Sequence, residues 1–79
     1  MRELVEFLAR AVVDDPDAVS VEAFDEEDEL LLELHVADDD LGRVIGKDGR
    51  VAKAIRTITR AAAAKDGRRV SVEIVEEDD

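Results

Sequence analysis

The apolar residues of this 79-residue chain keep a helical spacing at first, switch to strict alternation, return to helical spacing and end on alternation. Over residues 2–13, Leu4, Val5, Leu8, Ala11 and Val12 share one helical face and Arg2, Glu3, Glu6 and Arg10 the other. Asp14-Asp15-Pro16-Asp17 ends that helix, because proline disfavours helical backbone in the residue before it and aspartate suits a turn. Val19, Val21 and Ala23 then alternate with Ser20, Glu22 and Phe24. After the acidic turn Asp25-Glu26-Glu27-Asp28, Leu30, Leu32, Leu34 and Val36 alternate with Leu31, Glu33 and His35. Asp38-Asp39-Asp40 is expected to cap a short helix from about Asp40 to Ile45, stopped by Gly46. A longer helix follows to about Lys65, with Val51, Ala54, Ile55, Ile58, Ala61 and Ala62 as its buried stripe and Gly67 near its end. On that wheel Arg50, Lys53, Arg56 and Arg60 face outward together. Val70, Val72 and Ile74 form a third strand. The order is α-β-β-α-α-β, with a core over residues 2–75 and an acidic tail at 76–79.

A chain this small buries only about 60% of its unfolded surface, so it has room for one domain and little room for an enclosed pocket. It has no cysteine, which excludes disulfides, thiolate metal sites and a cysteine nucleophile. No apolar run approaches the roughly 18 residues of a membrane span, and the first residues lack the basic and apolar regions of a signal peptide, so a cytoplasmic protein is expected. Catalysis is disfavoured: the single imidazole is His35, and neither Ser20 nor Ser71 sits in a nucleophile context. Gly42-Arg43-Val44-Ile45-Gly46-Lys47 is one residue short of a P-loop and lacks the following Ser or Thr. The acidic stretches lack EF-hand spacing and read as solvated charge. Neither a cofactor nor a metal is expected.

The net charge of −11 argues by itself against a nucleic-acid ligand, but the charge is segregated. Between Arg43 and Arg69 nine basic residues meet two acidic ones, a local charge of +7, and the remainder carries −18. Segregation of this kind marks a docking surface. Inside the basic segment lies Val44-Ile45-Gly46-Lys47-Asp48-Gly49-Arg50-Val51: an apolar pair, a Gly-x-x-Gly loop and the start of a basic helix. A lone Gly-x-x-Gly is an ordinary helix-helix corner. Joining two helices in an α-β-β-α-α-β chain of this size, it resembles a KH domain of the bacterial type II arrangement. The stretch Val-Ile-Gly-Lys-Asp-Gly-Arg-Val-Ala-Lys-Ala-Ile-Arg-Thr is similar to the KhpA family in particular.

That resemblance implies an α+β fold, a three-stranded sheet packed on one side by three helices. It also implies a non-enzymatic protein that binds single-stranded RNA with little sequence preference and acts as an RNA chaperone or post-transcriptional regulator in the control of cell growth and envelope processes. Self-association into a homodimer, and association with a larger KhpB-like KH protein, are implied too. The RNA-binding residues it points to are Ile45, Gly46, Lys47, Asp48, Gly49 and Arg50, with Lys53, Arg56 and Arg60 as auxiliary basic contacts.

Physical reasons for such a loop can be given separately. Glycine lets the backbone approach a sugar-phosphate, and the unpaired N–H groups of a helix N-terminus face the phosphate while Lys47 and Arg50 add charge. A loop of this kind clamps about four nucleotides by their backbone. Val44, Ile45 and Val51 are candidates for an apolar groove under the bases, and each serves equally as core. With almost no aromatic residues the chain has no stacking platform, so affinity should be modest and salt-sensitive. Asp48 puts a carboxylate in the loop, either repelling phosphate or capping the following helix. The acidic turn at residues 25–28 would turn away a strand running past the clamp. The alternative function is a KH-fold protein-interaction or dimerisation module with negligible RNA affinity, its basic helix docking an acidic partner or a second copy.

Overall fold

A computed structural model describes residues 1–76. Its elements are α1 (Arg2–Arg10), β1 (Ser20–Asp25), β2 (Glu29–His35), α2 (Leu41–Ile45), α3 (Arg50–Lys65) and β3 (Arg69–Ile74), in the expected α-β-β-α-α-β order. The strands form one sheet in the order β1-β2-β3, with β1 antiparallel and β3 parallel to the central β2. A parallel β2–β3 pair needs a crossover, and α2 with α3 supplies it. The helices cover a single face. Val21 of β1, Leu32 and Leu34 of β2 and Val70 and Val72 of β3 point into a core shared with Val5 and Ala9 of α1, Val44 of α2 and Ile55 and Ala63 of α3.

Alternation in β2 and β3 is as expected, and the opposite face of the sheet carries the polar set. In register across it stand Glu22, Glu33 and Glu73, a row of like charges on adjacent strands. Ala23, expected inward, is exposed near the end of the edge strand β1. The first helix ends at Arg10 rather than residue 13; beyond it Ala11 and Val12 are exposed and only Val13 is half-buried. Tail residues 77–79 lie outside the described part.

Asp38-Asp39-Asp40 departs most from its sequence reading. Asp40 stands at the N-cap position of α2, but its side chain makes no capping bond. It is 2% exposed and turns back across the fold, accepting the N–H of Asp14 at Oδ1 and that of Asp15 at Oδ2, both at 3.0 Å. Arg43 Nε lies 3.5 Å from Oδ1, while Arg43 Nη2 pairs with Asp14 at 2.9 Å. This carboxylate is therefore a cross-link between the α1–β1 connection and the entry to α2, not solvated charge. Donation by the Asp14 N–H, helped by Asp15 N–H and Arg43, outweighs burial and holds the Asp40 carboxyl below its ordinary value of 3.8. A depressed carboxylate contributes stability fully above its unfolded pKa and loses it as pH falls through the folded value. Asp40→Asn is accordingly expected to lower the melting temperature at neutral pH more than any exposed aspartate substitution. It should also flatten the decline of melting temperature below about pH 4, read by circular dichroism across a pH series.

Candidate nucleic-acid interface

Between α2 and α3 the chain makes a four-residue corner, Gly46-Lys47-Asp48-Gly49, whose backbone is left-handed at three positions. Gly46 has φ 77° and ψ 171°, Asp48 φ 57° and ψ 24°, and Gly49 φ 75° and ψ 15°. The corner is closed by Gly46 N–H donating to Gly42 O at 2.8 Å and Gly49 N–H donating to Gly46 O at 3.1 Å. The two glycines are needed for different reasons. A Cβ on Gly46 would lie 2.5 Å from Val51 Cγ2 and 2.8 Å from the Val51 backbone nitrogen, so the close packing of loop on helix excludes it. A Cβ on Gly49 would meet nothing within 4 Å, so there only the dihedral favours glycine, and the space beside it is open.

Gly49 is the N-cap of α3 and no side chain bonds to the first turn. The capping role considered for Asp48 is thus not realised; Asp48 is exposed, and it is the one non-glycine residue among those described with positive φ. At the opening of α3 the Gly49 N–H donates to Gly46 O and the Arg50 N–H to Lys47 O, so the corner faces the positive dipole end of the helix rather than a row of free amides. Lys47 and Arg50 are exposed at the corner, and Ile45 is half-buried just before it. Of the proposed groove residues, Val44 is fully buried in the core and Val51 is half-buried, packed on the core and against Gly46.

The orientation of α3 corrects the sequence reading. Its buried stripe is Ala52, Ile55, Thr59 and Ala63. Thr59 is accepted in the core because its hydroxyl donates to Ile55 O at 2.7 Å. The helix is therefore turned so that Ala54, Ile58 and Ala61, expected inside, are exposed, Ile58 by 45%. Ala54 and Ile58 line a shallow apolar groove with Arg50, Lys53 and Thr57. Arg56, expected to face outward with its basic neighbours, instead lies half-buried on the free edge of β3, Nε donating to Val72 O at 3.1 Å. It shields part of an otherwise open strand edge.

The basic segment is divided as well. Arg43 is engaged by Asp14 and Asp40, and Arg68 by Asp25. Lys47, Arg50, Lys53, Arg60, Lys65 and Arg69 have no ion pair among the described residues. The acidic turn sits near the far end of α3: β2 and β3 start side by side at Glu29 and Arg69, so the turn is separated from the glycine corner by a 16-residue helix, about 24 Å at 1.5 Å per residue. Asp25 belongs to β1, and the reversal itself is closed by Glu26 N–H donating to Glu29 O at 2.8 Å.

A sequence profile described as KhpA/KhpB, KH domain, matches residues 2–74. The chain belongs to this family. Its relatives include the RNA-binding protein KhpA of Clostridium acetobutylicum, 52% identical over 75 residues, which are 95% of this chain and all of that one. The RNA-binding protein KhpA of Halalkalibacterium halodurans is 50% identical over 76 residues, covering 96% of this chain and all of its counterpart. Among solved structures, Era from Aquifex aeolicus bound to GDP and aluminium fluoride superposes with a TM-score of 0.62 at 22% identity, over 92% of this chain and 28% of Era. Era in complex with MgGDPNP and nucleotides 1506–1542 of 16S ribosomal RNA gives 0.65 at 20%, with the same coverage. At that identity the likeness to Era concerns the KhpA/KhpB-type fold alone, and this chain spans little more than a quarter of Era.

Proposed function

We propose that this chain is a single KH domain, residues 1–79, that binds single-stranded RNA without catalysing a reaction. The glycine corner holds the sugar-phosphate backbone. The observation that carries this reading is the corner itself: a loop bounded by two glycines, with open space beside Gly49 at the positive dipole end of α3 and with Lys47 and Arg50 exposed and without an ion pair among the described residues. The names of the relatives, RNA-binding protein KhpA, support the same ligand. In this reading Gly46 and Gly49 admit the backbone, Lys47 and Arg50 neutralise phosphate, Ile45 touches the bases, and Lys53 contributes charge from the flank of α3, while Arg60, eleven residues beyond Gly49, stands outside the reach of the nucleotides held in the corner. Arg56 contributes through its bonding to β3 more than as a free cation. The protein works in the cytoplasm as an RNA chaperone or post-transcriptional regulator, pairs with itself and associates with a KhpB-like KH protein.

Charge reversal tests the ligand. Lys47→Glu with Arg50→Glu is expected to reduce affinity for a single-stranded oligonucleotide at least ~100-fold at low salt, with the fold intact by circular dichroism, because two phosphate contacts become repulsions. Unchanged affinity would exclude the corner as the binding element. Asp48→Asn removes the carboxylate from the same loop while keeping a residue that tolerates positive φ. It is expected to tighten binding by roughly threefold to tenfold, read by the same anisotropy titration.

The exposed Ala54–Ile58–Ala61 strip favours one companion reading, a contact for a second copy or a KH partner. Sedimentation velocity over a concentration series is expected to show a dimer that Ile58→Asp weakens; a monomer at every concentration removes self-association.

A further inference from the structure

At the far end of α3, Arg60, Arg68 and Arg69 line one shallow depression with Glu29 and Val70. Three guanidinium groups meet around one hollow, and one of them, Arg68, is neutralised by Asp25. Glu29 lines the hollow with them and accepts the hydroxyl of Ser71, keeping its own charge, so Arg60 and Arg69 are left as two cations against one carboxylate. Arg60 and Arg69 have no ion pair among the described residues, in a chain that holds 22 acidic side chains. Glu27 and Asp28 close the other side of Arg68 and Arg69. The hollow is thus a short cationic stop against an acidic wall, not a basic surface that continues.

Its position relative to the glycine corner gives it a ligand. Lys53, Arg56 and Arg60 follow the i, i+3, i+7 spacing that keeps residues on one side of a helix, and Arg56 reaches the free edge of β3 on that side. Arg60 stands eleven residues beyond Gly49, about 16 Å along the axis. A strand that advances at least ~3.4 Å per nucleotide, the rise of stacked bases, covers that distance in no more than about five nucleotides. The clamp itself accounts for about four.

We propose that Arg60 and Arg69 form a second phosphate-holding station for the same RNA strand, at the end of α3 opposite the glycine corner, so that the chain grips RNA beyond the nucleotides in the corner. The station rests on the corner being the primary RNA site. It takes backbone phosphate, with the guanidinium forks suited to bidentate contact, and the acidic turn beyond it ends the footprint.

The test uses 5′-labelled oligouridylates of four and ten nucleotides, titrated by fluorescence anisotropy against wild type, an Arg60→Gln, Arg69→Gln variant and a Gly46→Asp, Gly49→Asp variant, each at several salt concentrations. The arginine variant is expected to bind the tetranucleotide within about twofold of wild type but the decanucleotide about tenfold more weakly. Its slope of log affinity against log salt on the longer strand should be shallower by about 1.4, since each phosphate contact to a single strand contributes about 0.7. Register multiplicity on the longer strand is common to both proteins and cancels. Unchanged decanucleotide affinity and slope would overturn the station, as would equal weakening of both lengths, which is the signature of a general change in field. The corner is read separately by the glycine variant, checked for folding by circular dichroism, and by Lys47→Glu with Arg50→Glu, which leaves both glycines in place: loss of both lengths is expected, and retention of both would overturn the primary site and with it the station as its extension.

Discussion

Gly46→Ala is expected to lower both the melting temperature and the affinity for single-stranded RNA, the latter by at least about tenfold, whereas Gly49→Ala should lower the melting temperature less. Gly46 combines φ 77° with ψ 171°, a region essentially restricted to glycine. An added Cβ would also press on the backbone nitrogen of Val51 at 2.8 Å, which no side-chain rotation relieves. The strain alone is worth about 1–3 kcal/mol, a large share of the stability of a domain this size, and relief requires the loop to shift away from the helix start. Gly49 has an ordinary left-handed conformation and empty space around it, so alanine there costs about 1–2 kcal/mol at most. A Cβ at Gly49 would fill the open space in which the proposed phosphate sits, so RNA affinity should fall by more than stability does. Thermal melts and anisotropy titrations of the two variants check this. Equal melting temperatures for Gly46→Ala and wild type would mean that the corner does not pack on Val51 as described.

The second large effect lies in the sheet. Leu32 is fully buried at the centre of β2, between Ala23 on β1 and Val72 on β3 in the register. Leu32→Ala removes three carbon atoms from a position that cannot collapse without moving both neighbouring strands, a loss of about 2–5 kcal/mol. A core of this size supplies about 3–5 kcal/mol in all, so the variant is expected to be largely unfolded at 25 °C, with weak far-ultraviolet dichroism and no cooperative urea transition. A sharp transition close to that of wild type would show that the centre of the sheet is not where the fold is held.

What could be read in the sequence divides along physical lines. The strands were legible because alternation leaves a single choice of face: once Leu32 and Leu34 are inward, Leu31, Glu33 and His35 are outward. The glycine corner was legible because few residues other than glycine adopt its dihedrals. The face of α3 was not. Its alanines fit either of two stripes, and the true one runs through Thr59, whose polar name hides a hydroxyl satisfied by Ile55 O within the same helix. Choosing the stripe by apolar identity rotated the helix, placing Ile58 inside and Arg56 outside. Asp40 was misread for a related reason. A run of three aspartates looks like solvated cap chemistry, and nothing local says that one of them reaches backbone N–H groups 25 and 26 positions earlier. Only the expectation that a buried carboxylate needs donors, once burial is known, finds it.

The charge pattern carries the same lesson. Segment 43–69 is basic in sequence, but folding spends Arg43 on Asp14 and Asp40, Arg68 on Asp25 and Arg56 on the β3 edge. The unpaired cations that remain cluster near the two ends of α3, while Glu22, Glu33 and Glu73 line the open face of the sheet and repel a phosphate backbone from that side.

The most direct test of the RNA-binding role is a titration of a labelled single-stranded RNA and its matched duplex, at two salt concentrations, against wild type and a Gly46→Asp, Gly49→Asp variant checked for folding by circular dichroism. Wild type is expected to prefer the single strand, to weaken with salt, and to lose that preference in the variant. Equal binding by wild type and a folded variant, or no binding by either at low salt, would contradict the role given to the corner and leave the exposed helix face and its protein partners as the function to pursue.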